Sequence, residues 1–305
     1  MVLGLKLDTS TWNSYKSGYN SWVRFTELHK LPLEPTVSSL SDYILFMSAH
    51  IKPDSVGTYL SGLVQILEPV FPNIRNIRND RLVLDIMAGC RRMFGSSVIR
   101  KAPLSADEIA RIVSNPDDSY DRILFHAMIA AGFHGLLRLG ELCDSPNKWN
   151  INTHKRTSRL SVKWSKGYVS FLLPAHKADK YFEGNRVVLR NIWPNIDVVK
   201  IFSDYVKRRD ARHPFTSPLW LTFDGEVPNR QFFMKFLKAE KLGDDIAGQS
   251  IRAGGATALA SIGFPGHAIQ ALGRWSSEAW RTYLRQHPLL FANLKIAQSP
   301  HHRSR

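Results

Sequence analysis

Cysteine is nearly missing from this 305-residue chain, with Cys90 and Cys143 the only two. Two thiols cannot build a disulfide scaffold or a cysteine-based zinc site, and they fit a reducing, intracellular setting. Nowhere do about 18 apolar residues run together, the length a membrane-spanning helix needs. The opening stretch MVLGLKLDTSTWNSYKSGYN has no apolar core of signal-peptide length. No internal repeat or low-complexity tract is visible, which sets aside solenoid and disordered architectures. Acidic residues are scarce as well: 26 Asp and Glu face 41 Lys and Arg, a formal charge of +15. An excess of that size suits a polyanionic partner, with nucleic acid ahead of an acidic membrane surface.

What is present is enough apolar material for packed cores. Hydrophobic residues make up 44% of a chain longer than one core usually fills. Two globular domains are therefore expected. In KPDSVGTYLSGLVQILEPVF, Val56, Tyr59, Leu60, Leu63, Val64 and Leu67 recur at helical spacing, with Asp54 placed to cap. Similar patterns over 22–29, 39–48 and 82–94 predict about four helices in the first third. Gly, Ser, basic residues and Pro103 then interrupt the periodicity and read as a linker, 98–104, after a helical domain of residues 1–97. Ser105 and Glu108 form a capping-box pattern, and Leu104 with Ile109 sits where a hydrophobic staple would be. A second domain, 105–297, begins there, followed by a flexible basic tail, 298–305. Its helices run through DRILFHAMIAAGFHGLLRLGELC before the period changes. Leu160, Val162 and Trp164 alternate, residues 165–167 make a turn, and strands are expected at 168–173 and 187–189. Helical patterns return at 198–207, 229–241 and 251–262. The expected class is mostly α with one small antiparallel β-sheet.

Four stretches of the second domain draw together: GLLRLGEL with Arg138 and Glu141, LLPAHKADK with Lys177, GQSIRAGGATAL with Arg252, and ALGRWSSEAWRTYLRQHP with Tyr283. Taken singly each has a bland reading. Arg138 suits a salt bridge to Glu141, Lys177 a solvated loop, and Tyr283 an aromatic stripe shared with Trp280. Taken in order, the set resembles the tyrosine recombinase/integrase family. The phrases HKADKYFEGN, SIRAGGATALA and LGRWSSEAWRTYLR look most like its Crypton-type mobile-element branch. The resemblance covers roughly residues 101–288; the first third shares only a helical organisation, in which it would be the core-binding domain.

The resemblance implies that a tyrosine oxygen attacks a DNA phosphodiester, giving a 3′-phosphotyrosine and a free 5′-hydroxyl. A phenol is only about 0.1% ionised at neutral pH, so it needs a proton acceptor and cationic neighbours. Guanidinium forks match the spread charge of the transition-state phosphate, with no metal or cofactor required. Arg138 and Arg252 match the family's two arginines, and Glu141 the acid that orients the first. Lys177 matches the general acid in the inter-strand turn, with Lys180 a second candidate, and Tyr283 the nucleophile. Histidines 126, 134, 176 and 267 form no metal-ligand spacing and read as structural or DNA-facing.

Two departures from the family stand out. Its second box reads His-x-x-Arg, whereas this chain has Gln249-Ser250-Ile251-Arg252. Glutamine cannot exchange a proton near neutral pH. If proton transfer is that position's task, the loss is on the order of 10² to 10⁴ in rate; if positioning is, activity survives. Further on, the usual nine-residue step back from Tyr283 lands on Arg274, one residue before an indole. Trp275 is the favoured packing equivalent, with Arg274 as a phosphate contact. Arg75, Arg78, Arg91, Arg92, Arg100 and Lys101 are either a solvated face or DNA contacts, and the net charge favours DNA. The expected protein is a site-specific recombinase acting on double-stranded DNA, a tetramer on two sites, docked through PLLFANLKIA. It would be intracellular and DNA-associated, nuclear in a eukaryote, with no membrane partner. Two alternatives stay open: a DNA-binding protein of the same fold weakened or silenced by Gln249, and a type IB topoisomerase-like relaxing enzyme.

Overall fold

The computed structural model describes residues 9–97, 100–174 and 184–281. The chain divides into two compact units, Met1–Ile99 and Arg100–Arg305.

The first unit is helical throughout its described residues: α1 (Thr9–His29), α2 (Val37–His50), α3 (Pro53–Leu67), the short α4 (Ile74–Arg78) and α5 (Arg81–Phe94). Its core gathers Trp22, Phe25, Tyr43, Leu60 and Leu63. Glycines let α1 and α3 approach to backbone contact. A Cβ on Gly18 would meet the Tyr59 backbone at 2.8 Å, and one on Gly62 the Tyr15 backbone at 2.7 Å. Helix α2 starts on a reciprocal Thr36 and Ser39 cap, and α5 on Asp80. Asp54 does not cap α3, which begins one residue earlier with Pro53 in its first turn and Lys52 at the cap position. Proline fits there because its missing N–H has no helical partner in any case. Asp54 instead faces Arg91, 3.3 Å away on α5.

The second unit contains α6 (Ala106–Val113), α7 (Tyr120–His134), the single-turn α8 (Leu139–Leu142), strands β1 (Lys163–Ser165), β2 (Tyr168–Leu173) and β3 (Asn185–Arg190), then α9 (Val198–Arg212), α10 (Arg230–Ala239), α11 (Gly248–Ser261) and α12 (Gly266–Leu272). Helix α7 is its centre: every residue from Leu124 to His134 is buried, as an apolar run without a polar face requires. The sheet is antiparallel in the order β1-β2-β3, pairing Val169 with Leu189 and Phe171 with Val187. Those four side chains join the core. The capping box of Ser105 and Glu108 starts α6 as its sequence predicts. The alternation at Leu160 is misleading, because residues 159–161 form a 3-10 turn closed by Ser158 and Ser161 hydroxyls, and Leu160 is 88% exposed. Serine side chains compete for the backbone there and delay the strand to Lys163. Among the described residues, no helix is long and apolar enough to cross a membrane.

Candidate active site

Two helix ends build the site. Helix α7 closes with the amide of Gly135 on Ala131 O (2.8 Å) and that of Leu137 on Gly132 O (2.9 Å), a Schellman arrangement. The left-handed residue such a turn needs is Leu136, with φ +49°, although glycine is one position away. Gly135 stands where a Cβ would meet Val187 Cγ1 at 2.7 Å and Ala131 O at 2.9 Å. Helix α12 ends likewise, with the amide of Gly273 on Ile269 O (2.9 Å) and that of Trp275 on Gln270 O (3.1 Å). Here Arg274 is left-handed, φ +56°, while a Cβ on Gly273 would run into the Trp275 ring. A left-handed non-glycine residue costs roughly 1–2 kcal/mol, so each turn must be held by other contacts.

Those contacts are arginines. The turn at α7 presents the Leu136 carbonyl to Arg252 Nη1 (2.7 Å) and to Arg274 Nη2 (3.0 Å). Arg252 is the fifth residue of α11 and 4% exposed. Its Nη2 donates to Gly273 O, and its guanidinium carbon lies 4.2 Å from the centre of the Trp275 ring. Arg274 also donates to Gly135 O (3.2 Å), Leu272 O (3.0 Å) and Glu141 Oε2 (3.4 Å). Burial lowers its pKa, with Glu141 opposing the shift and Arg138 adding to it. Glu141 accepts in turn from the Arg138 amide at Oε2 and from Arg138 Nη1 at Oε1, both 2.9 Å. Arg138 stands at the start of α8, beyond the end of α7, and its side chain is 28% exposed against 7% for Glu141. Three guanidinium groups are thus joined through one carbonyl and one carboxylate. Such a cluster has a surplus of positive charge, with Arg138 its most exposed member.

Gln249 is the exposed residue of an otherwise buried first turn of α11, one turn before Arg252; the cap residue Ala247 offers no side-chain acceptor to that helix start, and Ser250 Oγ accepts the Ala247 amide at 2.9 Å. Uncapped N–H groups at the start of a long helix favour an anion. The Trp275 ring lies over Arg252, and Arg274, read from the sequence as a phosphate contact, donates to the Leu136 turn and to Glu141. Lys177, Lys180 and Tyr283 lie outside the described residues, as does PLLFANLKIA. Trp280, expected to share a stripe with Tyr283, is 2% exposed and packs its ring over Gly266.

Several of the predicted DNA-facing residues are committed to protein groups. Arg75 makes a two-pronged ion pair with Glu68 at 2.7 Å, which raises its pKa. Arg78 is half-buried, donates to Ser61 Oγ at 3.0 Å and has its pKa lowered by burial. Arg91 faces Asp54, and Lys101 donates to Asp244 O at 2.8 Å. Arg92 and Arg100 are exposed. His126 and His134 are core residues whose pKa burial lowers to about 4, helped for His126 by Arg122 and opposed for His134 by the Ala130 carbonyl. No group of three or more His, Cys, Asp or Glu that could hold a metal occurs among the described residues. The sequence gives no sign of the Leu136 carbonyl as a hub, since a left-handed leucine beside a glycine leaves no compositional mark.

No protein-family model and no curated protein matches the chain by sequence. Solved structures do match by shape. The XerH site-specific recombinase bound to palindromic difH substrate, a post-cleavage complex, superposes with a TM-score of 0.65 at 13% identity, covering 94% of this chain and 79% of that one. The Tn1549 transposon integrase in complex with circular intermediate DNA gives 0.61 at 15%, covering 95% and 94%. A lambda integrase dimer bound to a COC′ core site gives 0.58 at 15%, covering 91% and 89%. The chain has the fold of these tyrosine recombinases and integrases.

Proposed function

We propose that this protein is a DNA strand transferase that cleaves and rejoins double-stranded DNA through a covalent 3′-phosphotyrosine on Tyr283. The observation that carries this reading is the gathering of Arg138 and Arg252, distant in sequence, around the Leu136 carbonyl and Glu141. A lone surface arginine needs no such scaffold. A cationic cluster beside an uncapped helix start suits a dianion-like phosphoryl transition state, and the fold is one that recombinases use.

The chemistry then divides by residue. Arg138 and Arg252 hold the non-bridging oxygens of the scissile phosphate and oppose the charge that builds on them. The Tyr283 oxygen attacks phosphorus, its proton leaving to a neighbouring base or water. The bond to the 5′ oxygen breaks, and Lys177, or Lys180 from the same loop, gives that oxygen a proton. Rejoining reverses these steps with a 5′-hydroxyl from another strand. Gln249 supplies hydrogen bonds to phosphate or tyrosine but no proton exchange. Each unit would contact duplex DNA, with Arg92 of the first and Arg100 of the second among the contacts. A homo-tetramer on two DNA sites, assembled through PLLFANLKIA, completes this reading. The phrases HKADKYFEGN and LGRWSSEAWRTYLR support a Crypton-type mobile-element recombinase acting in a nucleus.

The test is a trap for the covalent intermediate. Duplexes selected from a random pool by binding to the full chain are nicked at successive positions, so that cleavage beside the nick releases a short strand and prevents rejoining. A protein-DNA adduct that disappears in Tyr283→Phe is the expected result. Tight binding without adduct from any duplex would instead favour a DNA-binding protein silenced at Gln249. Relaxation of supercoiled plasmid lacking a selected site would favour a topoisomerase.

A further inference from the structure

The Arg274 guanidinium donates to two carbonyls of the turn before Arg138, those of Gly135 and Leu136, and to Glu141. We propose that Arg274 is a positioning residue for strand cleavage, holding Glu141 and the Leu136 turn so that Arg138 meets the phosphate, without contacting DNA itself. This rests on the strand-transferase reading above. Arg274's side chain is only 7% exposed, and it donates to four protein acceptors: Leu272 O, Gly135 O, Leu136 O and Glu141 Oε2. The Glu141 oxygen it approaches is the one that accepts the Arg138 amide, 2.9 Å away. Glu141 is thereby held from two sides, and its other oxygen fixes the Arg138 guanidinium at Nη1. Remove the Arg274 fork and the Glu141 carboxylate loses the second of its two cationic donors, while the Leu136 carbonyl loses one of its two. Arg138 is the more exposed end of this chain of contacts, so misplacement there reaches the ligand directly. A guanidinium is the group that can serve carbonyls and a carboxylate together, because its donors radiate in one plane.

Arg274→Gln and Arg274→Lys test this in the full chain. Amide exchange without DNA reads the coupling itself: the Arg138 amide, bonded to Glu141, is expected to lose protection in both variants. On the trapping duplex, adduct formation is expected to fall by about a hundredfold, the effect of misplacing a reacting contact by roughly 1 Å. DNA affinity and its salt slope should stay unchanged, and Arg274→Gln should cost little more in an Arg138→Ala background. A salt slope reduced by about 0.9 with normal Arg138 protection would mean a phosphate contact and overturn the proposal. If neither variant folds, Glu141→Ala removes the acceptor itself and must expose the Arg138 amide; unchanged protection there overturns the proposal too. Wild-type protein that forms no adduct on any duplex sinks the strand-transfer reading alone, because the exchange measurement still judges the coupling.

Discussion

Arg274 and Leu136 are both left-handed residues that end helices, and the first donates to the carbonyl of the second at 3.0 Å. Neither turn uses the glycine beside it for the left-handed position. In each case that glycine makes room for a neighbour: Gly135 for Val187, Gly273 for the Trp275 ring. The strain of two such turns is offset by the hydrogen bonds that link them, so the helix ends stabilise one another.

Helix α11 can hold Arg252 at this junction because it lies in backbone contact with its surroundings. A Cβ on Gly254 would collide with Leu104 O, and one on Gly255 with Phe133 O. Gly254→Ala is expected to destabilise the protein by about 1–3 kcal/mol, the range for overpacking. By contrast, a Cβ on Gly89 in α5 would meet nothing within 4 Å, so Gly89→Ala should stabilise by about 0.5–1 kcal/mol through helix propensity. Urea denaturation of the full chain reads both.

Removing the ring over Arg252 should be felt in both stability and cleavage. Trp275→Ala is expected to lose on the order of 2 kcal/mol, and Trp275→Phe to recover about half of that by keeping an aromatic face. Denaturation midpoints of the two variants, compared with their adduct yields, check this. Equal losses for both would show that the face-on contact contributes nothing.

Because Gln249 is exposed on the first turn of α11, a histidine there would face solvent rather than core. Gln249→His is expected to speed adduct formation by at least about tenfold, with a gain that titrates near the ordinary imidazole pKa of about 6.5. Single-turnover rates between pH 5.5 and 8 measure it. An unchanged or slower rate would show that the site has adapted to glutamine.

The buried histidines predict a pH dependence of folding. His134 and His126 are lowered to about 4 in the folded protein, chiefly by burial, against about 6.5 in an unfolded chain. The unfolded state therefore binds more protons as pH falls below 6.5. Stability from these groups is complete above that value and is lost progressively toward pH 4. Urea midpoints should fall over this window, and His134→Phe, which keeps an aromatic ring against Trp193, should shallow the slope.

Much of the fold was legible because local signals and burial agree. The Ser105 and Glu108 cap, the spacing along α3 and the alternation of Val169, Phe171 and Leu173 each point to the element that forms. Where two local signals compete, sequence reading fails. At Leu160 an apolar alternation loses to serine hydroxyls that close a turn, and at Asp54 a good capping residue loses to the proline before it. The site divides in the same way. Arg138, Glu141 and Arg252 could be picked out by order and context, yet the assignment of Trp275 over Arg274 rested on side-chain type. What the sequence does not carry is the backbone geometry: after a left-handed turn, Arg274 reaches inward to Leu136 and Glu141, while the indole lies across Arg252.

The Leu136 carbonyl joins parts of the chain that are far apart in sequence. Its two donors come from segments 116 and 138 residues further along the chain. Arg252 reaches that oxygen only once α11 has docked on α7, and Arg274 only once the end of α12 has. The cluster is therefore a product of tertiary packing that no single helix of the second unit carries. Cutting the chain before α12 would leave Arg138 and Arg252 in the sequence but take away one of the two donors that meet in space at Leu136.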